Sequence, residues 1–329
     1  MIDAVSKLNA FDPDDGAVPS IDYSGKSFFI IGAPRCGTTS LSRYLRKHRQ
    51  ISFSKPKETH FFLNSHQIAS DQQMRNTYLS HFHPKLAEHH LAIGDGSVSH
   101  LYSDDAIKEI LRFDPEARFI VLTRNPIDLV QSYHRRLLYT LDEDVRDFPT
   151  AWQLQPERAA GKSLPKKCRD PRLLRYEDIG KIGSRIENLL RHVPREQCLI
   201  ILFDEFISSP LAVYRKALAF IGLDYDGRTE FPVYAAQSEF RSKAVQALVM
   251  NPPSWVLKLL TLQKGNLRQR LKRLKGARRR LMSLNATNKT MKPAKETMPG
   301  QLREELKEHF REDVSILEDI VKVDLQHWR

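Results

Sequence analysis

Cysteine is scarce in this sequence. The 329 residues include three, Cys36, Cys168 and Cys198, which are widely spaced and match no metal-ligand pattern. They do not form a disulfide framework, so the sequence indicates a reducing compartment. No window approaches the roughly 20 apolar residues that a membrane-spanning helix requires, and residues 1–20 lack the apolar stretch of a secretory signal. We therefore expect a soluble, cytoplasmic protein.

Acidic residues are outnumbered, with 40 Asp and Glu against 52 Lys and Arg, a formal net charge of +12. Such a surplus indicates an anionic partner: a phosphorylated ligand, a nucleic acid, an acidic polysaccharide or a membrane surface. Segment 264–280 has basic residues and no acidic ones, and it could bind anionic lipid or an acidic glycan, or be a solvated face. No helix-turn-helix, zinc-finger or aromatic RNA-binding signature accompanies it, so we do not expect nucleic-acid binding.

Short apolar runs alternate with helical patterns along the first two thirds of the chain. The runs at 28–31, 119–122 and 199–203 are typical of strands buried on both faces, and 104–113 and 184–192 are helix-like. This alternation predicts an α/β fold with a mostly parallel sheet wrapped by helices. We expect a polar lead-in over 1–24 and a single domain over 25–329, of which about 240–329 is a mostly helical extension.

A glycine-rich turn joins the first predicted strand to a helical pattern. Gly32 and Gly37 have the spacing of the triphosphate-binding P-loop, in which backbone N–H groups at a helix start bind an anion. That loop requires Lys directly after the second glycine, whereas here Thr38 stands there and the cation is Arg35. The turn can therefore bind one phosphate-like group, while metal-dependent phosphoryl transfer is disfavoured. The alternative is a turn that only caps a helix.

A second candidate anion site follows the second predicted strand. Arg124 stands at the strand end, Asn125 and Pro126 are typical of a helix start, and Ser132 lies eight residues after Arg124, about two helical turns away. A guanidinium and a hydroxyl together can hold a phosphate. Taken alone, the pattern more often marks a capped helix beside a surface arginine.

Together these two segments resemble sulfotransferases that use 3′-phosphoadenosine 5′-phosphosulfate (PAPS). The sequence Arg-Cys-Gly-Thr-Thr-Ser-Leu fills the family's 5′-phosphosulfate loop, with Arg35 in the usual Lys place. The resemblance implies a P-loop NTPase-like three-layer fold, PAPS as co-substrate and no metal. It assigns Arg124 and Ser132 to the 3′-phosphate, Arg35 to charge neutralisation on the leaving phosphate, and the 5′-phosphosulfate to Arg35, Cys36, Gly37, Thr38, Thr39 and Ser40.

Sulfuryl transfer also needs a base for the acceptor proton. Residues 58–62, Glu-Thr-His-Phe-Phe, resemble the Glu-x-His-Phe-Phe stretch of Golgi-type carbohydrate and heparan sulfate sulfotransferases, which implies that Glu58 is the base, with His60 as the other candidate. Glu58 could instead pair with a neighbouring lysine on the surface. In those enzymes a lysine that assists the reaction stands where this chain has Gly96, so this assistance is missing or comes from Lys57 or His100.

The resemblance covers about residues 26–245, and it makes Arg241 and Lys243 candidates for a late basic loop on the 3′-phosphate. The leading hypothesis is a sulfotransferase that acts on a hydroxyl or amine of a glycan, with a glycosylated or lipid molecule, a peptide or a phenol as open alternatives. A P-loop nucleotide kinase or nucleoside triphosphatase is the second hypothesis. A non-catalytic protein that binds nucleotides or polyanions is the third.

Overall fold

A five-stranded parallel sheet forms the centre of the computed structural model, which describes residues 23–82, 86–234, 241–242, 245–246, 280–281, 284–285 and 298–329. Every neighbouring pair in the sheet is parallel, and the strand order is β2-β3-β1-β4-β5. This confirms the predicted sheet. The strands are β1 Lys26–Gly32, β2 Ile51–Phe53, β3 Ala92–Asp95, β4 Arg118–Thr123 and β5 Cys198–Leu202.

The central strands are continuous apolar runs because neighbouring strands and helices bury them. Six of the seven residues of β1 are buried, as are five of the six in β4, and Ile30 pairs with Ile120 across the two strands. Since β1 lies between β3 and β4, the chain leaves β1 toward one side of the sheet and later returns on the other. In such sheets the crevice at the carboxyl ends, beside the strand where the direction reverses, is the usual ligand site.

Helices flank the sheet, as predicted. The helix-like pattern at 104–113 is confirmed residue for residue, whereas the pattern at 184–192 corresponds to a helix that begins and ends two residues earlier. The described helices are α1 Thr38–Leu45, α2 Asp71–Leu79, α3 Asp104–Phe113, α4 Pro126–Thr140, α5 Phe148–Gln153, α6 Gln155–Ala159, α7 Tyr176–Gly180, α8 Ile182–Leu190, α9 Phe203–Ser208, α10 Pro210–Ile221 and α11 Gly300–Val321.

Helix α11 packs against α8 through a close backbone contact and a side-chain cap. The carboxylate of Asp313 accepts hydrogen bonds from the backbone N–H groups of Gly183 and Ser184, both at 2.8 Å, and from the Ser184 hydroxyl at 2.6 Å. A Cβ on Gly183 would lie 2.1 Å from the Asp313 carbonyl oxygen, so glycine is required there. Asp313 thereby satisfies donors at the start of α8 that have no partner within that helix.

The contacts divide the chain into two compact units. The first comprises residues 1–133, 175–234 and 299–329 and holds the whole sheet; the second comprises 134–174 and 235–298. The second unit contains a buried ion pair in which Arg158 Nη1 lies 2.6 Å from Glu143 Oε2 and Arg158 Nη2 lies 2.8 Å from Glu143 Oε1. Both side chains are at most 1% exposed. The expectation of a single domain over 25–329 stays a prediction.

Candidate active site

The turn after β1 has the backbone geometry of an anion-binding loop. Gly37 adopts a φ of 85°, and α1 begins at the next residue, Thr38. A Cβ on Gly37 would lie 2.8 Å from the ring of Phe206, so both the backbone conformation and the neighbouring ring require glycine. First-turn N–H groups of a helix point out of its start, where they can bind a phosphate or sulfate group.

Side chains of this turn have different environments. The Arg35 Nε donates to the Ser132 hydroxyl at 3.1 Å. Cys36 is fully buried, and burial raises the pKa of its thiol to about 12, so that only its backbone can meet a ligand. The Ser40 hydroxyl donates to the carbonyl of Tyr234 at 3.0 Å and accepts from its N–H at 3.2 Å. Ser40 therefore connects α1 to the segment at 231–234. The side chain of Thr38 is nearly buried, and Thr39 is partly exposed.

Arg124 directly follows β4, as predicted. The N–H of Ile127 donates to the Asn125 side chain at 3.0 Å, which confirms the predicted helix start. The Arg124 guanidinium lies 4.8 Å from the ring centroid of Phe203, and its Nη2 is 3.2 Å from Asp128 Oδ2. The aromatic face and the carboxylate orient this cation.

The two predicted anion-binding groups adjoin each other. Arg35 belongs to the turn after β1, and Ser132 lies on α4, which follows the neighbouring strand β4; their side chains are hydrogen-bonded. The backbone N–H of Ala33 also donates to the carbonyl of Leu122 at 2.6 Å, which joins the ends of the two strands. One ligand with two separate phosphate groups could therefore reach both.

Glu58 and His60 lie on the segment after β2. The carboxylate of Glu58 has Lys57 Nζ 2.7 Å from Oε1 and His60 Nε2 3.6 Å from Oε2, and its side chain is 35% exposed. Burial lowers the pKa of His60, an effect that Glu58 partly opposes. The His60 ring is therefore neutral at pH 7, and its approach to Glu58 is not an ion pair.

A buried hydrogen-bond network holds this segment against the end of β3. Asp95, which is fully buried, accepts from the Thr59 hydroxyl at 2.6 Å and from the Ser97 N–H and hydroxyl at 2.8 and 2.5 Å. The Ser97 hydroxyl accepts from the His60 N–H at 3.0 Å, and Ser99 Oγ lies 2.7 Å from His60 Nδ1. Burial raises the pKa of Asp95 to about 6, although its hydrogen bonds oppose the shift.

Gly96 and His100 both follow β3 but have different environments. Lys57 packs over Gly96, and its Nζ donates to the Gly96 carbonyl at 3.0 Å. His100 is fully buried, and neither ring nitrogen has a hydrogen-bond partner in the part of the chain that the structure describes. Burial lowers the pKa of His100 to about 3, so the ring is neutral.

The remaining predicted residues are only partly described. Arg241 is exposed in the second unit, where its N–H donates to the carbonyl of Asn285 at 2.7 Å. Lys243 and, apart from Arg280, the basic segment 264–280 lie outside the described residues. Within the described ranges, no three His, Cys, Asp or Glu side chains converge as metal ligands. None of the helices in those ranges is long and apolar enough to cross a membrane.

Residues 26–254, well over half of the chain, match a family model described as the Sulfotransferase domain. The chain belongs to the sulfotransferase family. This sulfotransferase is similar to a solved structure, the sulfotransferase from Alicyclobacillus acidocaldarius, with 24% identity, a TM-score of 0.62, and coverage of 93% of this chain and 100% of the other. At that identity the likeness establishes the fold, which is the P-loop NTPase-like fold predicted from the sequence.

Curated relatives of this sulfotransferase include mammalian enzymes. It is 26% identical over 212 residues to the bifunctional heparan sulfate N-deacetylase/N-sulfotransferase 3 of Mus musculus, a match that covers 60% of this chain and 22% of that protein. It is 25% identical over 145 residues to carbohydrate sulfotransferase 15 of Homo sapiens, covering 32% of this chain and 26% of that protein. The chain thus spans about a quarter of the length of these relatives.

Several residues of the site were not predicted from the sequence. Phe203 and Phe206 begin and continue α9, far from the turn after β1 in sequence, and they contact Arg124 and Gly37. Asp95 directly precedes Gly96, but its partner Thr59 is 36 residues away. An acidic residue that follows the short apolar run at 91–93 after a single glycine is the signal that could have identified Asp95.

Proposed function

We propose that this protein transfers a sulfuryl group from PAPS to a hydroxyl or amine of a carbohydrate. The observation that carries the proposal is the direct contact between Arg35 and Ser132 at the carboxyl ends of adjacent parallel strands. It joins a helix-start anion site to a guanidinium-and-hydroxyl site, and PAPS carries one anionic group for each. The family match supports sulfuryl transfer.

The donor contacts that we propose follow from this arrangement. The turn with Arg35, Cys36, Gly37, Thr38 and Thr39 binds the 5′-phosphosulfate, with Cys36 contributing only its backbone because its side chain is buried. Ser40 acts mainly through the helix start, since its hydroxyl is bonded to Tyr234. Arg124 and Ser132 bind the 3′-phosphate. Arg241 and Lys243 remain predicted additional contacts.

The transfer that we propose is a single in-line displacement. The acceptor oxygen or nitrogen forms a bond to sulfur while the bond from sulfur to the bridging phosphate oxygen breaks, and that electron pair leaves with 3′-phosphoadenosine 5′-phosphate (PAP). The acceptor proton goes to the Glu58 carboxylate, which is partly exposed and so can meet a substrate. Neutral His60 is the alternative base. The cation of Arg35 stabilises charge on the leaving phosphate but, as a guanidinium, donates no proton.

Calorimetric titration with PAP, 5′-AMP and ATP–Mg²⁺ tests the donor. We expect PAP to bind more tightly than 5′-AMP, and the variant Arg124→Ala to weaken PAP binding about 10- to 100-fold because one charge-assisted phosphate contact is lost. Arg191→Ala is the matched control, since Arg191, the residue after α8, is an exposed arginine. If ATP–Mg²⁺ binds better, or the 3′-phosphate makes no difference, the donor assignment is wrong and the nucleotide kinase hypothesis takes its place.

A transfer assay with radiolabelled PAPS tests the acceptor class. We expect label in N-desulfated heparin (an amine) or in O-desulfated heparin (a hydroxyl), and none in 2-naphthol. Label in 2-naphthol alone would contradict the carbohydrate assignment. If wild type binds PAP but transfers label to no acceptor, the non-catalytic binding hypothesis replaces the enzymatic one. Transfer that Glu58→Ala leaves unchanged would instead refute Glu58 as the base. A cytoplasmic location and a docking role for 264–280 stay predictions.

A further inference from the structure

The Lys57 side chain lies across Gly96 and contacts the Glu58 carboxylate. Its Nζ donates to Glu58 Oε1 at 2.7 Å and to the carbonyl of Gly96 at 3.0 Å, while the N–H of Gly96 donates back to the Lys57 carbonyl at 3.0 Å. The side chain is only 18% exposed. Lys57 is therefore held by contacts at both its backbone and its ammonium group, unlike an ordinary surface lysine.

The absence of a side chain at position 96 makes this placement possible. A Cβ there would lie 2.9 Å from Lys57 Cε, 3.2 Å from Lys57 Cγ and 3.0 Å from the hydroxyl of Ser42. Ser42 belongs to α1, the helix that follows the donor turn, and its hydroxyl is buried. Positions 57 and 96 therefore compete for one volume between the base-bearing segment and the donor helix, and only one of them can fill it with a cation.

His100 does not compete for this place. Its ring is fully buried and lies against Phe62, at a centroid distance of 5.9 Å, so it presents no donor to a substrate. Lys57 is the cation that the structure brings to Glu58 within 4 Å in the described part of the chain. The contact engages Oε1, which leaves Oε2, on the side of His60, as the oxygen that can take the acceptor proton.

We propose that Lys57 is a positioning residue for Glu58 and that Gly96 is glycine so that Lys57 can occupy this volume. The inference rests on the proposed function, in which Glu58 is the base. A carboxylate on a partly exposed side chain samples several rotamers, and a misplacement of about 1 Å can cost about 100-fold in rate. The ammonium group of Lys57 selects the rotamer that faces the acceptor.

Substitution of Lys57 tests the positioning role. With N-desulfated heparin and radiolabelled PAPS, we expect Lys57→Met to lower kcat about 100-fold and to leave the Kd of PAP unchanged, and Lys57→Arg to recover part of the loss. Lys216→Met is the matched control, because Lys216 also pairs with a glutamate, Glu205, but is 47% exposed. Near-normal kcat in Lys57→Met, or a loss of PAP affinity equal to the loss in kcat, would overturn the proposal.

A swap of the two positions tests the shared volume. We expect Gly96→Ala to lower kcat while Lys57 is present, because the new methyl group displaces it. In the Lys57→Ala background, Gly96→Lys should raise kcat by about tenfold or more, since the new cation occupies the same volume and can again position Glu58. If Gly96→Ala leaves kcat unchanged, or if Gly96→Lys does not raise kcat in the Lys57→Ala background, the two positions do not share a cation site.

An NMR measurement separates this proposal from the proposed function. The side-chain ¹⁵N signal of the Lys57 ammonium group, identified by its loss in Lys57→Met, should shift in Glu58→Gln and in Gly96→Ala. This readout needs no donor or acceptor. Wild-type protein that neither binds PAP nor transfers sulfate would refute the proposed function, whereas an unshifted signal would refute the Lys57–Glu58 contact whatever the activity.

Discussion

Replacement of Asp95 by Asn changes one buried charge and little else. Asp95 is fully buried, and its two oxygens accept three hydrogen bonds from Thr59 and Ser97. The Asn side chain has nearly the same shape, its oxygen can still accept from Ser97, and the Thr59 hydroxyl can turn to accept from its amide. The variant therefore isolates the free-energy cost of the buried carboxylate charge beneath the segment that carries Glu58.

The magnitude follows from the pKa of Asp95, which burial raises from 3.8 to about 6. A folded state with the higher pKa binds more protons between these two values, so the free energy of unfolding falls as the pH rises through them. A difference of about two units corresponds to about 3 kcal/mol. We expect wild type to lose about 2 kcal/mol of this relative to Asp95→Asn between pH 4 and pH 7, since the unfolded pKa lies just below that range.

Urea unfolding of the two proteins at several values between pH 4 and pH 7.5 measures this difference. Other titrating groups are common to both proteins and cancel when the two free energies are subtracted. Asp319→Asn, which removes one exposed carboxylate of α11, is the matched control. If the difference for Asp95→Asn is the same at pH 4 and pH 7.5, the reasoning about the buried carboxylate is wrong.

Two further predictions concern other buried groups. Burial lowers the pKa of His100 to about 3, so acid favours the unfolded state, in which this ring can be protonated. Between pH 7 and pH 4, wild type should therefore lose about 3 kcal/mol more of its free energy of unfolding than His100→Leu does. Urea unfolding of both proteins measures this difference. In the second unit, Glu143→Ala leaves Arg158 buried without its carboxylate and should cost about 3–5 kcal/mol. The Tm from thermal unfolding should fall strongly in this variant and hardly at all in Glu187→Ala, whose ion pair with Arg191 is exposed. Equal falls in Tm for the two variants would contradict this account.

The sheet was predictable where strands are long and apolar. Strands β1 and β4 contain the predicted runs, because burial on both faces leaves no polar alternation. Strand β5 contains its predicted run except Phe203, which begins α9 instead. Strand β2, Ile51–Phe53, was not predicted, since three residues with a serine in the middle carry no distinctive pattern. Strand β2 is recognised in the structure through its parallel pairing with β3.

The site was predictable where its residues lie close together in sequence. Arg35 to Ser40 form one turn, and Arg124 and Ser132 follow one strand, so spacing and helix geometry located them. The contacts of Thr59 with Asp95 and of Arg124 with Phe203 depend on strand order and register, which local sequence does not encode. Which of Lys57 and His100 lies beside Glu58 likewise depended on the fold: Lys57 contacts Glu58, whereas His100 is fully buried.

The cap that Asp313 forms on α8 has a consequence for the order of folding. The N–H groups at residues 183 and 184 find their acceptor 130 and 129 positions later in the chain. During synthesis, which proceeds from the N-terminus, α8 emerges from the ribosome long before α11 does. The sheet strands can pair in the nascent chain, but the first turn of α8 reaches its final state only after residue 313 has been released. Completion of the sheet-bearing unit thus waits for a segment far along the chain, and contacts of such long sequence separation are the slow ones to form.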